Sequence, residues 1–320
     1  MQKIITLTMN PVLEKETSVA GIRPNTKLRC ASPIYYAGGG GINVSRALKN
    51  LGAKSLCIYL AGGSTGNHLE QLVSNEGISQ KVISVRGRTR DNLSVTDTVT
   101  NLHYQFRVPG PRVEKKEWEQ VLKLLEELLT KDDYLVASGK LPPGVPPDFY
   151  VMVSKITDEK EAKLVLDTSG KALLPSMKAN IFMMKPNLAE LSILSGVESI
   201  SASELEFSAK RFLKNYSCQV LVISLGARGA LLATKNKMEH ISAPTVYQKS
   251  TIGAGDSMVA GMVLSLVQGK SLSEMLLYGV ACGAAATIRP GTQLCNKNDV
   301  DDLYDWIKNK NVKRAKKRLN

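Results

Sequence analysis

Residues 114–139, EKKEWEQVLKLLEELLTKDDYLVASG, contain the helix and strand signals that decide the fold. One face of the first half carries apolar residues at helical spacing, namely Trp118, Val121, Leu122, Leu125 and Leu128. The run at residues 134–137 then has the length and apolar character of a buried strand. This segment therefore predicts an amphipathic helix that precedes an inner strand of a sheet.

Similar short apolar runs occur on both sides of this segment and alternate with helical patterns. They lie at residues 4–9, 55–60, 164–166, 181–184 and 220–224. Buried strands separated by helices are typical of a parallel sheet with helices on both faces. The sequence thus predicts an α/β fold with three layers, α/β/α, and a mostly parallel sheet.

Two polar segments, residues 12–36 and 88–109, interrupt the alternation. Both are rich in Thr, Val and Tyr, and they partly alternate, as in LSVTDTV at residues 93–99. We expect short antiparallel strands that pair with one another into a small sheet, because a hairpin that packs on nothing is marginally stable in water. Such a sheet would form a lid over the main domain or a dimer surface. Ordinary long loops are the alternative.

The chain is basic, with 42 Lys and Arg against 29 Asp and Glu and a formal net charge of +13. More than half of this excess comes from the tail at residues 308–320, KNKNVKRAKKRLN, which contains no acidic residue. A charge run of this kind is usually a solvated extension. Aromatic residues are only 5% of the chain, too few for an extended base-stacking surface. We therefore expect no nucleic-acid partner beyond weak contacts of the tail.

Hydropathy and cysteine spacing exclude further classes of protein. No stretch reaches the roughly 18 uncharged apolar residues of a membrane-spanning helix. The first ten residues, MQKIITLTMN, lack the apolar core of a signal peptide, so we expect a cytoplasmic protein without a membrane partner. The five cysteines are scattered and show no CxxC spacing, which favours reduced thiols and no structural metal.

The strongest chemical signal is TIGAGD at residues 251–256, followed by a helical run at residues 257–268. Small residues at a helix N-terminus let successive N–H groups converge on an anion. We therefore expect the backbone of Gly253, Ala254 and Gly255 to form an anion hole. Asp256, on the same turn, is the candidate general base toward an attacking hydroxyl group. The alternative is that Asp256 only caps the helix.

Other phosphate-binding and hydrolytic motifs are incomplete. The tripeptide GKS at residues 269–271 lacks the earlier glycine of a Walker A loop, where this chain has Leu264. A Rossmann fingerprint that began at Gly38 would need a glycine where Asn43 stands. The three histidines show no triad or zinc-ligand spacing. P-loop, Rossmann and serine or zinc hydrolase functions are therefore unsupported.

Five motifs taken together resemble the PfkB branch of the ribokinase-like sugar kinases. They are GGGGIN (38–43), SGKLPPG (138–144), KPNLAE (185–190), SLGARG (224–229) and TIGAGDS (251–257). The resemblance covers most of a domain at residues 1–307 and leaves residues 308–320 as a basic C-terminal tail. It implies a ribokinase-like fold in which the two inserts form a β-sheet lid that joins two subunits into a homodimer.

Within this family the motifs are most similar to those of the bacterial minor 6-phosphofructokinases. The resemblance implies ATP-dependent phosphorylation of fructose 6-phosphate at its C1 hydroxyl to fructose 1,6-bisphosphate, a step of glycolysis. Tagatose-6-phosphate kinase and 1-phosphofructokinase activities are the alternatives within the family. The alternative to an enzyme is a non-catalytic regulator that binds sugar phosphates.

The resemblance also implies roles for individual residues. On the nucleotide side it places ATP at Lys185, Asn187, Ser224, Gly226 and Gly229, and Mg²⁺ with its waters at Asn187 and Glu190. For the sugar it implies contacts from Glu14, Gly39, Asn43, Ser138 and Gly139. For the substrate's phosphate it implies Lys27, Arg29 and Arg90, and it allows a monovalent cation near the last loop.

Three residues depart from the family pattern. Glu14 stands where an aspartate is common, and its longer side chain changes the reach toward sugar hydroxyls. Lys140 replaces a small serine, and Ala189 replaces a longer polar or basic residue. These departures leave the preference among sugar phosphates, and any second ATP site, open.

Overall fold

The computed structural model describes the backbone of residues 2–319 and the side chains of residues 2–310. Its main sheet has nine strands. In spatial order they are β13 (Met238–Ile241), β12 (Ala230–Ala233), β11 (Cys218–Ser224), β10 (Ile181–Met184), β9 (Lys163–Asp167), β8 (Tyr134–Ser138), β1 (Ile4–Thr8), β4 (Leu56–Ala61) and β5 (Ser79–Ser84). All neighbours pair in parallel except β12 and β13, which extend one edge as an antiparallel hairpin. The predicted mostly parallel sheet is confirmed.

Helices cover both faces of this sheet, as the alternation of patterns predicted. They are α1 (Gly40–Asn50), α2 (Gly63–Asn75), α3 (Lys115–Leu128), α4 (Phe149–Glu159), α5 (Leu188–Ser195), α6 (Leu205–Asn215), α7 (Ala254–Val267), α8 (Leu272–Thr287) and α9 (Lys297–Leu319). The core clusters place α3 to α6 on one face and α1, α7, α8 and α9 on the other. None of the helices in residues 2–319 combines the length and apolar character that a bilayer crossing requires.

Alternate side chains of the inner strands pack into the two cores, one on each face of the main sheet. In β8, Leu135 and Ala137 pack into the core beneath α3 and α4, whereas Tyr134 and Val136 pack into the core beneath α1 and α7. Successive side chains of a strand point to opposite faces, so a strand buried on both faces must be apolar throughout. This requirement explains the uninterrupted apolar runs in the sequence.

The two inserts form one four-stranded sheet, the lid sheet, in the order β3 (Ile34–Gly38), β2 (Val12–Val19), β6 (Arg90–Asp97) and β7 (His103–Phe106). The expectation of antiparallel pairing is correct for β2 with β3 and for β6 with β7. It is wrong for the central pair, since β2 and β6 run parallel. The reason is that β2 and β6 follow β1 and β5, two parallel strands, and so leave the main sheet in the same direction.

Element boundaries differ from the predictions in other places. Strands β5, β12 and β13 lie outside the predicted runs, and α7 begins at Ala254 rather than at residue 257. The predicted boundary of the basic tail at residue 308 falls inside α9. The tail side chains from residue 311 onward lie outside the described residues.

Candidate active site

The N-terminus of α7 has the backbone geometry that an anion hole requires. Gly253 occupies the N-cap with φ 73°, a left-handed conformation that glycine adopts without a β-carbon penalty. A β-carbon at this position would also clash with the Leu294 side chain. In the first turn, Ala254 N donates a long, 3.4 Å hydrogen bond to Thr251 O, whereas Gly255 N and Asp256 N have no backbone acceptor among the described residues and lie at the positive end of the helix. The TIGAGD motif therefore presents unpaired donors to the cleft.

Asp256 lies in this first turn, and an element far away in sequence holds its carboxylate. Asp256 Oδ2 accepts a 2.8 Å hydrogen bond from Asn43 Nδ2 on α1, so the side chain does not act as the helix cap. Burial raises the pKa of Asp256 to about 6, and the negative charge of Asp167 adds to this shift. The Asn43 hydrogen bond and the Lys185 charge oppose it. A carboxylate with a pKa near neutrality is suited to accept a proton.

Lys185 places a permanent positive charge beside the same turn. Its Nζ lies 3.3 Å from Asp167 Oδ2, and its side chain is almost completely buried. Burial favours a lower pKa for Lys185, but Asp167, Asp256 and Glu190 outweigh burial and raise it. A β-carbon at Gly255 would lie 3.5 Å from Lys185 Nζ. The ammonium group therefore reinforces the positive end of α7.

Asn187 and Glu190 form a reciprocal capping box at the start of α5. Asn187 Oδ1 accepts a 2.9 Å hydrogen bond from Glu190 N, and Glu190 Oε2 accepts one of the same length from Asn187 N. Burial raises the pKa of the half-buried Glu190 carboxyl. Within residues 2–310, no group of three or more His, Cys, Asp or Glu side chains is arranged to hold a metal. Mg²⁺ commonly uses one or two carboxylates and completes its shell with water and phosphate oxygens, so Glu190 fits such a site.

A cavity of about 340 Å³ adjoins the N-terminus of α7. The predicted nucleotide residues Ser224, Gly226 and Gly229 line it together with Gly255. Much of the remaining lining is apolar and includes Ala243, Val246, Met258, Val280 and Ala284. This volume and lining fit a nucleoside whose phosphates extend toward the first turn of α7.

The predicted sugar-side residues lie where β1 and β8 are neighbours, the point at which the strand order reverses. Gly39 is the N-cap of α1, with φ 125°, and Gly40 packs against Ser138 and Gly139 so closely that a β-carbon would clash. Asn43 follows one turn later on α1. Ligands of open α/β sheets bind at such a reversal, beyond the carboxyl ends of the strands. The structure therefore brings these predicted sugar-side residues to one edge of the sheet.

Glu14 faces the body of the protein from the lid sheet. Its Oε1 accepts a 3.0 Å hydrogen bond from Asn92 Nδ2 on the neighbouring strand β6. Both residues line a narrow cavity with Arg107, Ile252 and Thr292. The Thr292 hydroxyl is buried and has no hydrogen-bond partner among the described residues. The lid thus approaches the loop that precedes α7.

The three predicted phosphate clamps lie in two segments of the lid. Arg90, the first residue of β6, donates hydrogen bonds to the backbone oxygens of Asn10, at 3.0 Å, and Pro11, at 3.3 Å, and burial lowers its pKa. Lys27 and Arg29 are exposed in the loop between β2 and β3. The hydrogen bonds of Arg90 therefore tie the start of β6 to the link between β1 and β2.

The sequence assigned no role to Arg107 or Thr292, and for Asp167 it indicated only a place among the polar residues at the strand ends. Asp167 had a signal, because it is a charged residue at the end of the apolar strand β9 and thus at the ligand-binding edge of the sheet. Arg107 lies near Arg90, whose pKa its charge lowers, and it lines the Glu14 cavity. Thr292 is one of several polar residues in its loop, and nothing in its local sequence indicates that its hydroxyl faces this cavity.

Comparison with known proteins agrees with this geometry. The family model described as pfkB family carbohydrate kinase matches residues 4–299. An ATP-dependent 6-phosphofructokinase isozyme 2 from Mycobacterium tuberculosis is 39% identical over 303 residues, which cover 95% of this chain and 89% of the relative. A 1-phosphofructokinase from Borreliella burgdorferi is 31% identical over 306 residues, covering 95% and 98% of the two chains.

A solved structure has the same fold over nearly the whole length. The crystal structure of phosphofructokinase-2 from Escherichia coli in complex with potassium superposes with a TM-score of 0.93 at 36% identity. It covers 96% of this chain and 100% of that one. The family model, the sequence relatives and the solved structure all match nearly the whole length: the chain belongs to the pfkB family of carbohydrate kinases.

Proposed function

We propose that this kinase transfers the terminal phosphoryl group of ATP to the C1 hydroxyl of fructose 6-phosphate, as the 6-phosphofructokinase step of glycolysis. The observation that carries the proposal is the Asp256 carboxylate, which combines a pKa of about 6 with a position in the first turn of α7. The 39% identity to a relative named 6-phosphofructokinase supports this choice of sugar phosphate.

Asp256 would accept the proton of the attacking hydroxyl, while the Asn43 amide holds the carboxylate in place. The first-turn amides, from Gly253 to Gly255, and the Lys185 ammonium would stabilise negative charge on the transferring phosphoryl oxygens. Phosphoryl transfer depends mainly on positioning and charge stabilisation of this kind. A positioned general base contributes on the order of 10²–10⁴ in rate.

ATP would occupy the cavity lined by Ser224, Gly226 and Gly229, with its base at the apolar end. Glu190, with Asn187, would hold Mg²⁺ through water, and the ion would neutralise phosphate charge when bound. A monovalent cation near residues 290–295 completes the proposal, and it is supported by the potassium in the Escherichia coli structure.

The sugar would bind between the lid sheet and the body. Glu14, Gly39, Ser138 and Gly139 would contact its hydroxyls. Its phosphate would lie among the lid cations Lys27, Arg29 and Arg90, since guanidinium groups can grip phosphate at two oxygens.

We further propose a homodimer through the lid. The lid sheet and its connecting loops expose several large apolar side chains, namely Ile34, Val99, Leu102, Tyr104, Phe106 and Val108. An exposed apolar surface of this kind usually marks an interaction site.

A coupled assay of ADP release tests the substrate. It compares fructose 6-phosphate, tagatose 6-phosphate, fructose 1-phosphate and unphosphorylated sugars. We expect the highest kcat/KM for fructose 6-phosphate. Preference for tagatose 6-phosphate would indicate tagatose-6-phosphate kinase activity, and preference for fructose 1-phosphate would indicate 1-phosphofructokinase activity. The Borreliella relative makes 1-phosphofructokinase activity the main alternative. Binding without turnover of any sugar would indicate a non-catalytic regulator.

A further inference from the structure

Two buried hydroxyl groups hold the peptide group between Gly139 and Lys140. This peptide lies just past the end of β8, where Gly139 N donates a 2.9 Å hydrogen bond to Asp167 O at the end of β9. Gly139 O accepts a 3.1 Å hydrogen bond from Tyr150 Oη on α4 and a 3.0 Å hydrogen bond from Thr168 Oγ1. The Tyr150 and Thr168 side chains are both buried. Neither has a part in the phosphoryl transfer proposed above.

The carbonyl also sets the direction of the N–H group in the same peptide. A trans peptide is planar, and its C=O and N–H bonds point in opposite directions. The Gly139 carbonyl points toward Tyr150 on α4, which packs on the face of the main sheet opposite to α1. The Lys140 N–H group therefore points toward the side of α1. It has no acceptor there among the described residues.

The predicted sugar-side residues lie on that same side. Gly40, the first residue of α1, packs directly against Ser138 and Gly139, and Asn43 follows on the same helix. A backbone N–H group is a strong donor, and one left free beyond the carboxyl ends of parallel strands is available to a ligand. The Lys140 N–H group is therefore placed to donate a hydrogen bond to a sugar substrate.

The two hydroxyl groups supply a restraint that the chain itself lacks. Gly139 has φ 109°, in a region that glycine enters without a steric penalty, so its own backbone does not restrict the peptide that follows. Tyr150 and Thr168 come from two separate segments and both donate to the one carbonyl. Burial raises the pKa of the Tyr150 hydroxyl, so this group stays protonated and remains a donor. Together they hold the peptide in one orientation.

We propose that Tyr150 and Thr168 are positioning residues for the sugar phosphate, because they hold the Gly139 carbonyl so that the Lys140 N–H group donates a hydrogen bond to a substrate oxygen. Neither side chain touches the substrate, and both act through the peptide. The inference rests on the proposed function, since it needs a sugar phosphate at this edge of the sheet. The nucleotide cavity is lined by other residues, so the binding of ATP does not depend on this peptide.

Steady-state kinetics of the full chain test the proposal, with the KM for fructose 6-phosphate and the KM for ATP measured separately. Y150F and T168V each remove one hydroxyl group with little change of shape. We expect each to raise the KM for fructose 6-phosphate by about three- to tenfold, as for one weakened hydrogen bond, and the double variant by more than tenfold. The KM for ATP should stay within about twofold of the parent value. T168S keeps the hydroxyl group and should keep the parent KM for the sugar phosphate.

Y134F and T157V are the matched controls. Tyr134 is buried at the opposite end of β8, and Thr157 Oγ1 donates a 2.9 Å hydrogen bond to the backbone oxygen of Ser154 within α4. Each control removes a buried hydroxyl group that is remote from Gly139 along its element. Both should leave the two KM values unchanged, so a general loss of packing is separated from a turned peptide.

Three results would overturn the proposal: an unchanged KM for the sugar phosphate in both single variants, an equal rise in the KM for ATP, or the same rise in the controls. Thermal unfolding shows which variants fold, and the single variants decide if the double variant does not. If the parent prefers another sugar phosphate, the KM for that substrate is compared. A parent that phosphorylates no sugar phosphate refutes the proposed function, whereas an active parent with unchanged variants refutes only the positioning role.

Discussion

The Asp256 carboxylate is largely removed from water, and its only described hydrogen-bond partner is the Asn43 amide. Its pKa of about 6, against an ordinary 3.8, means that the folded protein binds the proton more tightly than the unfolded chain does. At neutral pH the ionised group therefore destabilises the fold, on the order of 3 kcal/mol. The raised pKa that suits Asp256 to act as a base therefore lowers the stability of the folded protein at neutral pH.

We expect D256N to lose turnover by on the order of 10²–10⁴ while ATP binding persists. The same change should raise the free energy of unfolding by about 3 kcal/mol at neutral pH, because it removes a desolvated charge. The gain should shrink as the pH falls below about 6 and disappear below about pH 3, where the wild-type group is protonated in both states. Denaturant unfolding across this pH range measures it. D301N, at an exposed ion pair with Lys297, is the control and should change little.

The pH profile of kcat/KM tests the same residue without altering it. Protonation of Asp256 should reduce kcat/KM below about pH 6, since only the carboxylate can accept the hydroxyl proton. Asp167 raises the pKa of Asp256, so D167N should move this acid limb to lower pH. An acid limb that stays in place in D167N would show that another group controls it.

At the scale of elements, two glycines in the turn after β11 have different reasons to be glycine. Gly226 has φ 60° with open space around its missing side chain. Gly229 has φ 92°, and a β-carbon there would clash with the backbone of Ile241 at the end of β13. Gly226 is needed only because its backbone has a positive φ. Gly229 is needed also because the absence of a side chain lets β13 pass close to the cavity beside α7.

G229A should therefore be far more damaging than G226A. We expect G226A to cost about 1–2 kcal/mol of backbone strain and to leave the KM for ATP within a few-fold of wild type. G229A must displace β13, so its KM for ATP should rise at least tenfold, with a clear loss of thermal stability. Equal effects in the two variants would contradict this account of the turn.

At the scale of the whole molecule, the lid sheet and its connecting loops expose large apolar side chains, as a surface that pairs with a second lid would. Phe106 is 56% exposed on β7, whereas Phe207, 68% exposed on α6, lies outside the lid. If two lids pair, F106E buries a charge in the interface and F207E does not. We expect F106E to shift the protein to a monomer, measured by light scattering, and to raise the KM for fructose 6-phosphate. F207E is the matched control, and dissociation of both variants would argue against a lid interface.

Much of this protein is encoded in local patterns. Uninterrupted apolar runs follow from strands buried on both faces, so the inner strands and their parallel arrangement could be predicted from the sequence. The anion hole and its acid are also local, because Gly253 and Asp256 share one helical turn. The glycine motifs could likewise be recognised in the sequence, because their glycines serve the backbone geometry of short segments.

Tertiary structure alone decided the contacts that cross the sheet. Asn43 and Asp256 are 213 positions apart, and they meet because α1 and α7 pack on the same face. The parallel pairing of β2 with β6 depends on the order of the strands in the main sheet. Periodicity shows which face of an element is buried, but it carries no information about which distant element covers that face, and the chemistry of this site depends on those partners.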